Sequence, residues 1–406
     1  MTCDSAPNGV ALECPNGVAL DMNDALLESP LLEFHRVAGC EVAPYFGVAL
    51  PAQFSDPLSE HRTARQAVAL IDTNFRTVFS LAGPDRARYL NAVLTSNVRD
   101  LIPGQGTVGL LLNAQGHILA ELETLACEDR ILALGHMQVR EKTEEILEKF
   151  IIMDDVTLTD ETAAYGTVAI EGPQAPAMVH ELANIDLSAL PARGDFDALP
   201  ALGHASASVV SAAGEISCRV IRSSLFGFPG VEFLVARQAL GSLWGALAVA
   251  VRKRGGAPIG YRALNALRLE AGVPWFGVDF DERQIPHEAA LENTHISFVN
   301  GCYTGQEIVE RVRSRGHVNR RRAGLQFSAA EPPAAGAALA AAGAEAGHVT
   351  SATFSPLVGN AIGMGYVRRE HNTVGTALQC AEIATEVIEL PLASAAPPSA
   401  AQGAVS

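Results

Sequence analysis

No two cysteines of this 406-residue chain stand at Cys-x-x-Cys spacing, and their number, seven, is odd. That speaks against a disulfide framework and a zinc ribbon, and for a reducing compartment. No uninterrupted apolar run reaches the ~18 residues of a membrane helix. No Lys or Arg precedes Arg36, so the chain start lacks the basic region of a secretory or organellar targeting peptide. A cytoplasmic protein with no membrane partner is expected. Positive charge is also scarce: 29 Lys and Arg face 45 Asp and Glu, a formal net charge of -16. Such a field disfavours nucleic acid and anionic surfaces, except at a local basic patch. Apolar residues are plentiful, at 48% against 18% charged. The length suggests two or three domains.

Residues 7–12 and 15–20 repeat Pro-Asn-Gly-Val-Ala-Leu. Two copies cannot form a solenoid, so residues 1–50 are expected to be a largely unstructured extension. The tail 393–406, rich in Ala, Pro and Ser, is expected to be disordered. Residues 51–320 read as mixed strands and helices, an α+β body. Thr77 to Leu81 alternates like a strand, and Gly83-Pro84-Asp85 opens a helix with Ala87, Leu90 and Leu94 on one face. The punctuation recurs after Thr167 to Glu171 at Gly172-Pro173, which suggests a pseudo-duplication. Thr107 to Asn113 and His117 to Leu125 read as a hairpin, and Met137 to Phe150 and Gly260 to Ala271 as helices. From 321 to 392, short strands between Gly and Pro predict a small antiparallel β-barrel, with the Ala/Gly run 334–347 forming strands and turns.

Two motifs mislead. Gly104-Gln105-Gly106-Thr107-Val108-Gly109 has the spacing of a dinucleotide loop, but Pro103 precedes it and a strand follows, so it reads as a turn. His287-Glu288 opens like a zinc-protease motif, but Leu291 stands where the second His belongs, so no metal site is indicated.

The most informative segment is Asn300-Gly301-Cys302-Tyr303-Thr304-Gly305-Gln306-Glu307. Glycines admit close backbone approach, and thiol, phenol, amide and carboxylate groups stand between them. Except for Asn300 in place of Lys, it resembles the signature loop of the YgfZ-type folate-binding proteins, relatives of the glycine-cleavage T-protein (aminomethyltransferase). Leu112 to Gly116 resembles that family's hairpin turn. Arg222, Gly227, Gly230 and Glu232 resemble its glycine-rich segment, and Leu267 to Gly272 its Leu-Arg-Leu-Glu-Ala-Gly stretch. The resemblance spans roughly 55–390. It implies a pseudo-duplicated T-protein fold with tetrahydrofolate as cofactor. Glu232 would accept the donor edge of the pterin, and Arg268, Tyr303, Gly305 and Gln306 would join it at the cofactor. Each has a plainer reading: Glu232 as a solvent-facing strand residue, Arg268 as a partner in a surface ion pair.

The T-protein carries a catalytic Asp in an Asp-Asp pair where this chain has Ala120-Glu121, and Phe228 stands where it often has Glu. These departures favour the YgfZ-like branch. The expected function is a tetrahydrofolate-binding accessory protein for iron–sulfur cluster assembly or repair, with an iron–sulfur client or assembly protein as partner. The alternative is a folate-dependent aminomethyltransferase or demethylase. Cys302 and Glu121 are the candidate catalytic residues. Cys302 is either an inert structural thiol or a reactive one in the field of Arg311 and Arg313. Six arginines between Arg311 and Arg322 form either a solvated hairpin or a site for a folate tail, an acidic protein or RNA. Without interleaved aromatics, RNA is the weakest of these.

Overall fold

The computed structural model describes residues 26–186, 196–212, 214–299 and 301–395. The repeats at 7–20, the tail from 396 and Asn300 lie outside them. No helix among the described residues is long and apolar enough to cross a membrane. The five cysteines among them are free.

The duplication of the body extends well beyond its two Gly-Pro turns. In the first half, strand Arg76–Ala82 leads into helix Arg86–Val93. A meander of Gly106–Leu112, Ile118–Ala126 and Arg130–His136 follows, then a 3-10 turn, Met137–Val139, and helix Arg140–Phe150. The second half repeats the order. Strand Tyr165–Glu171 and helix Ala175–Leu182 precede the meander strands His204–Ser211, Gly214–Ser223 and Gly230–Ala236. A 3-10 turn, Arg237–Ala239, and helix Leu240–Lys253 close it. In each half the leading strand pairs antiparallel with the last meander strand. The short strand that precedes each leading strand is exchanged. Ala69–Asp72 comes just before the first half but pairs with Tyr165–Glu171, and Thr157–Asp160 comes just before the second but pairs with Arg76–Ala82. The exchange ties the two sheets into one body.

Glycine is required at both turns. Gly83 has φ +102° and a Cβ there would lie 2.2 Å from the Asp155 carbonyl oxygen; Gly172 has φ +142° and a Cβ would lie 2.6 Å from that of Ala67. Helix Leu240–Lys253 buries Leu240, Leu243, Leu247 and Val251 along one stripe, at the helical spacing. Each fully buried side chain of this kind contributes about 1.5–3 kcal/mol. The stripe packs on Val168, Ile170, Phe233 and Val235 of the second sheet. The first half has its own core around Phe79, Leu90, Leu122 and Leu147.

The expected extension needs correction. Residues Leu27–Glu28, Glu41–Tyr45 and Val48–Gln53 form a three-stranded sheet, with helix Leu32–Val37 between. Tyr45, Phe46, Val48 and Leu50 pack with Tyr261, Leu264 and Leu267 of helix Tyr261–Glu270. The repeat at residues 7–20 says nothing of the strands that follow it, and Val48–Gln53, buried along nearly its whole length, lacks the alternation that marks a strand with one solvent face. The C-terminal unit is a closed six-stranded barrel from Arg320–Phe327 to Ile383–Ile388, with Ala338–Ala341 and Ala344–Ser355 as strands. The fold is thus mixed α and β with a separate barrel, as expected.

Candidate functional site

Strand alternation separates the two jobs of Ile118–Ala126. Ala120 and Leu122 enter the first core, while Glu121 and Glu123 share the opposite face. Arg76 and His136 are cross-strand neighbours on the same sheet. Arg76 Nη2 lies 3.0 Å from Glu123 Oε1 and 3.2 Å from Glu232 Oε2, so one guanidinium joins the two halves. His136 Nε2 is 3.2 Å from one Glu121 oxygen, and His295 Nε2 is 2.9 Å from the other. His295 Nδ1 lies 2.7 Å from the Thr294 hydroxyl.

The carboxylates differ in environment. Glu232 is 0% exposed, while the side chains of Glu121 and Glu123 are 18% and 19% exposed. The network therefore opens toward solvent at the first-half carboxylates and ends blind at Glu232. Burial would raise the Glu121 carboxyl, but hydrogen bonds to His136 and His295 outweigh it and hold it well below the usual range. Burial raises Glu123, which also faces the charges of Glu232 and Glu121; Arg76 pulls the other way without cancelling them. Burial lowers the His136 imidazole despite its contact with Glu121.

Glu121 and Glu232 are brought into one network. The loop of Tyr303, Gly305 and Gln306 packs on the Glu121 side of the sheet, since Leu110, the cross-strand partner of Glu121, clusters with Tyr303. Tyr303 is buried against Leu110, Leu112 and Ile118, and its hydroxyl has no hydrogen-bond partner. Gly305, at φ +82°, sits at the N-terminus of helix Gln306–Arg315; a Cβ would lie 2.6 Å from the Asn113 carbonyl oxygen. The loop thus buttresses the hairpin that carries Glu121. Cys302 is exposed on it.

Arg268 is elsewhere. It is fully buried in an ion pair with Asp279, donates to Asn265 and Val273, and lies 4.3 Å above the Trp275 ring. Asp279 in turn accepts hydrogen bonds from Thr350 and Ser351 of the barrel. Arg268 therefore ties its helix to the barrel, and the surface ion pair gives way to this buried one, while its Nη2 stays buried without a hydrogen-bond partner. The arginine run is not a hairpin: it divides between the helix Gln306–Arg315 and the barrel strand Arg320–Phe327. Arg320 and Arg321 pair with Glu288 and Glu292, and Arg322 donates to the Ala289 carbonyl.

Sequence reasoning missed Arg76, Glu123, His136 and His295. Glu123 was detectable as the same-face neighbour of Glu121 two residues along a strand. The other three become neighbours only through long-range pairing.

The donor set suits a pterin. Glu232 Oε2 is buried without a hydrogen bond, although it lies near Arg76, so it can accept from a guanidine-like edge. Phe75 and Phe276 lie 5.3 and 5.1 Å from His136, offering flat apolar surface beside the charges.

Residues 31–296 match the family described as GCVT N-terminal domain, and 320–392 match the glycine cleavage T-protein C-terminal barrel domain. The mitochondrial aminomethyltransferase of Gallus gallus is 30% identical, over 87% of this chain and 88% of its own. The aminomethyltransferase of Rubrobacter xylanophilus is 29% identical, over 85% and 88%. The crystal structure of the Bartonella henselae glycine cleavage system aminomethyltransferase T superposes with a TM-score of 0.80 at 24% identity, covering 92% of this chain and 99% of that one.

Proposed function

We propose, on the premise that this chain belongs to the glycine cleavage T-protein family, that it is a tetrahydrofolate-dependent one-carbon transferase of the aminomethyltransferase type. The carrying observation is the Arg76-centred network, which gathers two partly exposed carboxylates, Glu121 and Glu123, and one fully buried one, Glu232. Tetrahydrofolate, the cofactor of this family, supplies the nitrogen that accepts the one-carbon unit.

Glu232 anchors and orients. Its buried Oε2, within 3.2 Å of Arg76 Nη2 but without a hydrogen bond, accepts the donor edge of the pterin, while Arg76 Nε donates to Oε1. Glu121, pinned by two histidines, stays ionised and favours positive charge developing at the opening. Glu123 is the group that holds and moves a proton, because its carboxyl is raised and partly open. Neighbouring acids pushed apart in this way divide the acid and base roles between them. The pair Ala120-Glu121 thus does not remove the chemistry; it passes proton transfer one strand repeat along, to Glu123.

The test is calorimetric binding of tetrahydrofolate, followed by transfer from an aminomethyl group carried on a lipoyl-linked protein. Binding with release of a one-carbon folate is expected. Binding without any transfer would reject the enzyme reading. One observation favours the second reading, an accessory role in iron–sulfur assembly or repair: the Cys302 thiol stands exposed on its loop. Rescue of an iron–sulfur enzyme defect by the wild type, lost in Cys302→Ala, would establish that role.

A further inference from the structure

None of the residues of the Arg76 network lines the cavity of about 560 Å³ between the end of helix Gln306–Arg315, residues 287–298 and the rim of the barrel. Three guanidinium groups line it from three separate elements: Arg313 on the helix, Arg321 on the first barrel strand, and Arg369 in the 3-10 turn after strand Asn360–Arg368. In a chain of net charge -16 this is a concentration of positive charge. Arg321 shares one oxygen of Glu292 at 2.6 Å, and Arg313 has Glu310 at 3.6 Å. Arg369 has no ion-pair partner among the described residues.

The lining also holds groups with nothing to bind. His287 is 7% exposed, and neither of its ring nitrogens has a hydrogen-bond partner. The second oxygen of Glu292 is buried and equally unpartnered. Buried polar atoms in this state call for a ligand or water. Burial lowers the His287 imidazole, so it stays neutral and offers one donor and one acceptor. The cavity therefore asks for oxyanions at the arginines and for N–H groups at Glu292 and His287.

We propose that this cavity binds a short chain bearing several carboxylates and amide N–H groups, of the acidic-peptide or oligoglutamyl type. Guanidinium forks match carboxylates in two-bond geometry, and amide hydrogens satisfy the unpartnered acceptors. A fully ionised phosphate offers no such donor, and it would fill little of a cavity of this size. The one phenyl ring in the lining, Phe298, already has the guanidinium of Arg313 4.0 Å over its face, which leaves a nucleic-acid base little to stack on. The inference does not depend on the one-carbon reading.

The experiment is calorimetric titration of the full chain at low salt with α-linked tetraglutamate, γ-linked tetraglutamate and inorganic phosphate. Saturable binding of a tetraglutamate is expected, weakened roughly 10-fold in Arg369→Ala and in Arg313→Ala, the size of one charge-assisted hydrogen bond. Both side chains are exposed, so the fold is retained, and unchanged thermal melting checks this. Preference for the α-linked peptide assigns the site to an acidic protein segment, and preference for the γ-linked one to an oligoglutamyl chain. Phosphate binding as tightly as either peptide, affinity indifferent to both substitutions, or no binding would each overturn the proposal.

Discussion

The two halves of the body share one architecture and use it for opposite ends. At the cross-strand position where the first half has Arg76 beside His136, the second has Tyr165 beside Ala236. Glu123 pairs with the residue two before His136, and the matching position of the second half is Arg219, paired with the residue two before Ala236. Glu171, on the second leading strand, spends its carboxylate on the backbone N–H groups of Leu225, Phe226 and Phe228 and the Ser224 hydroxyl. Burial nonetheless pushes its pKa up to about 7. The second half thus turns its charges inward to hold its own loop and contributes only Glu232 to the shared network. The first half leaves its carboxylates within reach of solvent. The duplicated frame does not dictate chemistry; a few side chains at equivalent register positions do.

The strongest test of that division is Glu123→Gln. It keeps shape and one partner of Arg76 but removes the proton acceptor, and it is expected to lower turnover by ~10²–10⁴-fold with little change in substrate KM. Steady-state kinetics decides. A loss confined to KM would mean that the first half only binds. On the other side of Arg76, Glu232→Gln is expected to weaken tetrahydrofolate binding by about 1.5–3 kcal/mol, read by calorimetry. If the two substitutions acted alike on binding and turnover, the contrast between halves would collapse.

How much of this was legible depended on whether the signal was local. The duplication showed at Gly83-Pro84 and Gly172-Pro173 because a turn demands particular residues wherever it occurs. The barrel showed in the spacing of its strands. The hairpin placed Glu121, and its alternation could have placed Glu123. Arg76, His136 and His295 gave no local sign, since their meaning comes from strand pairing and from a segment far along the chain. Arg268 gave no local sign of its burial: the surface ion pair that its sequence neighbours suggested is instead a buried one with Asp279, over the Trp275 ring.

The shared frame predicts a shared weakness. Gly83→Ala and Gly172→Ala each put a Cβ against a carbonyl oxygen at a positive φ. Each is expected to cost about 1–3 kcal/mol of stability, measured by denaturant unfolding. Equivalent losses would support the structural duplication, while tolerance at one turn would show that the halves are supported differently.

The smallest expected effect concerns the histidines. In the first half His136 faces the acid Glu121, whereas in the second His204 is fully buried with Nδ1 2.8 Å from an Arg219 nitrogen. Burial, helped by the charge of Arg219, lowers the His204 pKa to about 4. The unfolded chain takes up this proton near pH 6.5, while the folded chain resists it until about pH 4. Its contribution to stability is therefore complete above pH 6.5 and is lost as pH falls toward 4, with a slope of at most about 1.4 kcal/mol per pH unit. In His204→Gln this part of the acid sensitivity should disappear from unfolding curves taken across that window. His136→Gln should flatten the same window less, because contact with Glu121 offsets part of the burial that lowers His136. Equal flattening by the two variants would mean that the opposite partners of these histidines do not set their titration.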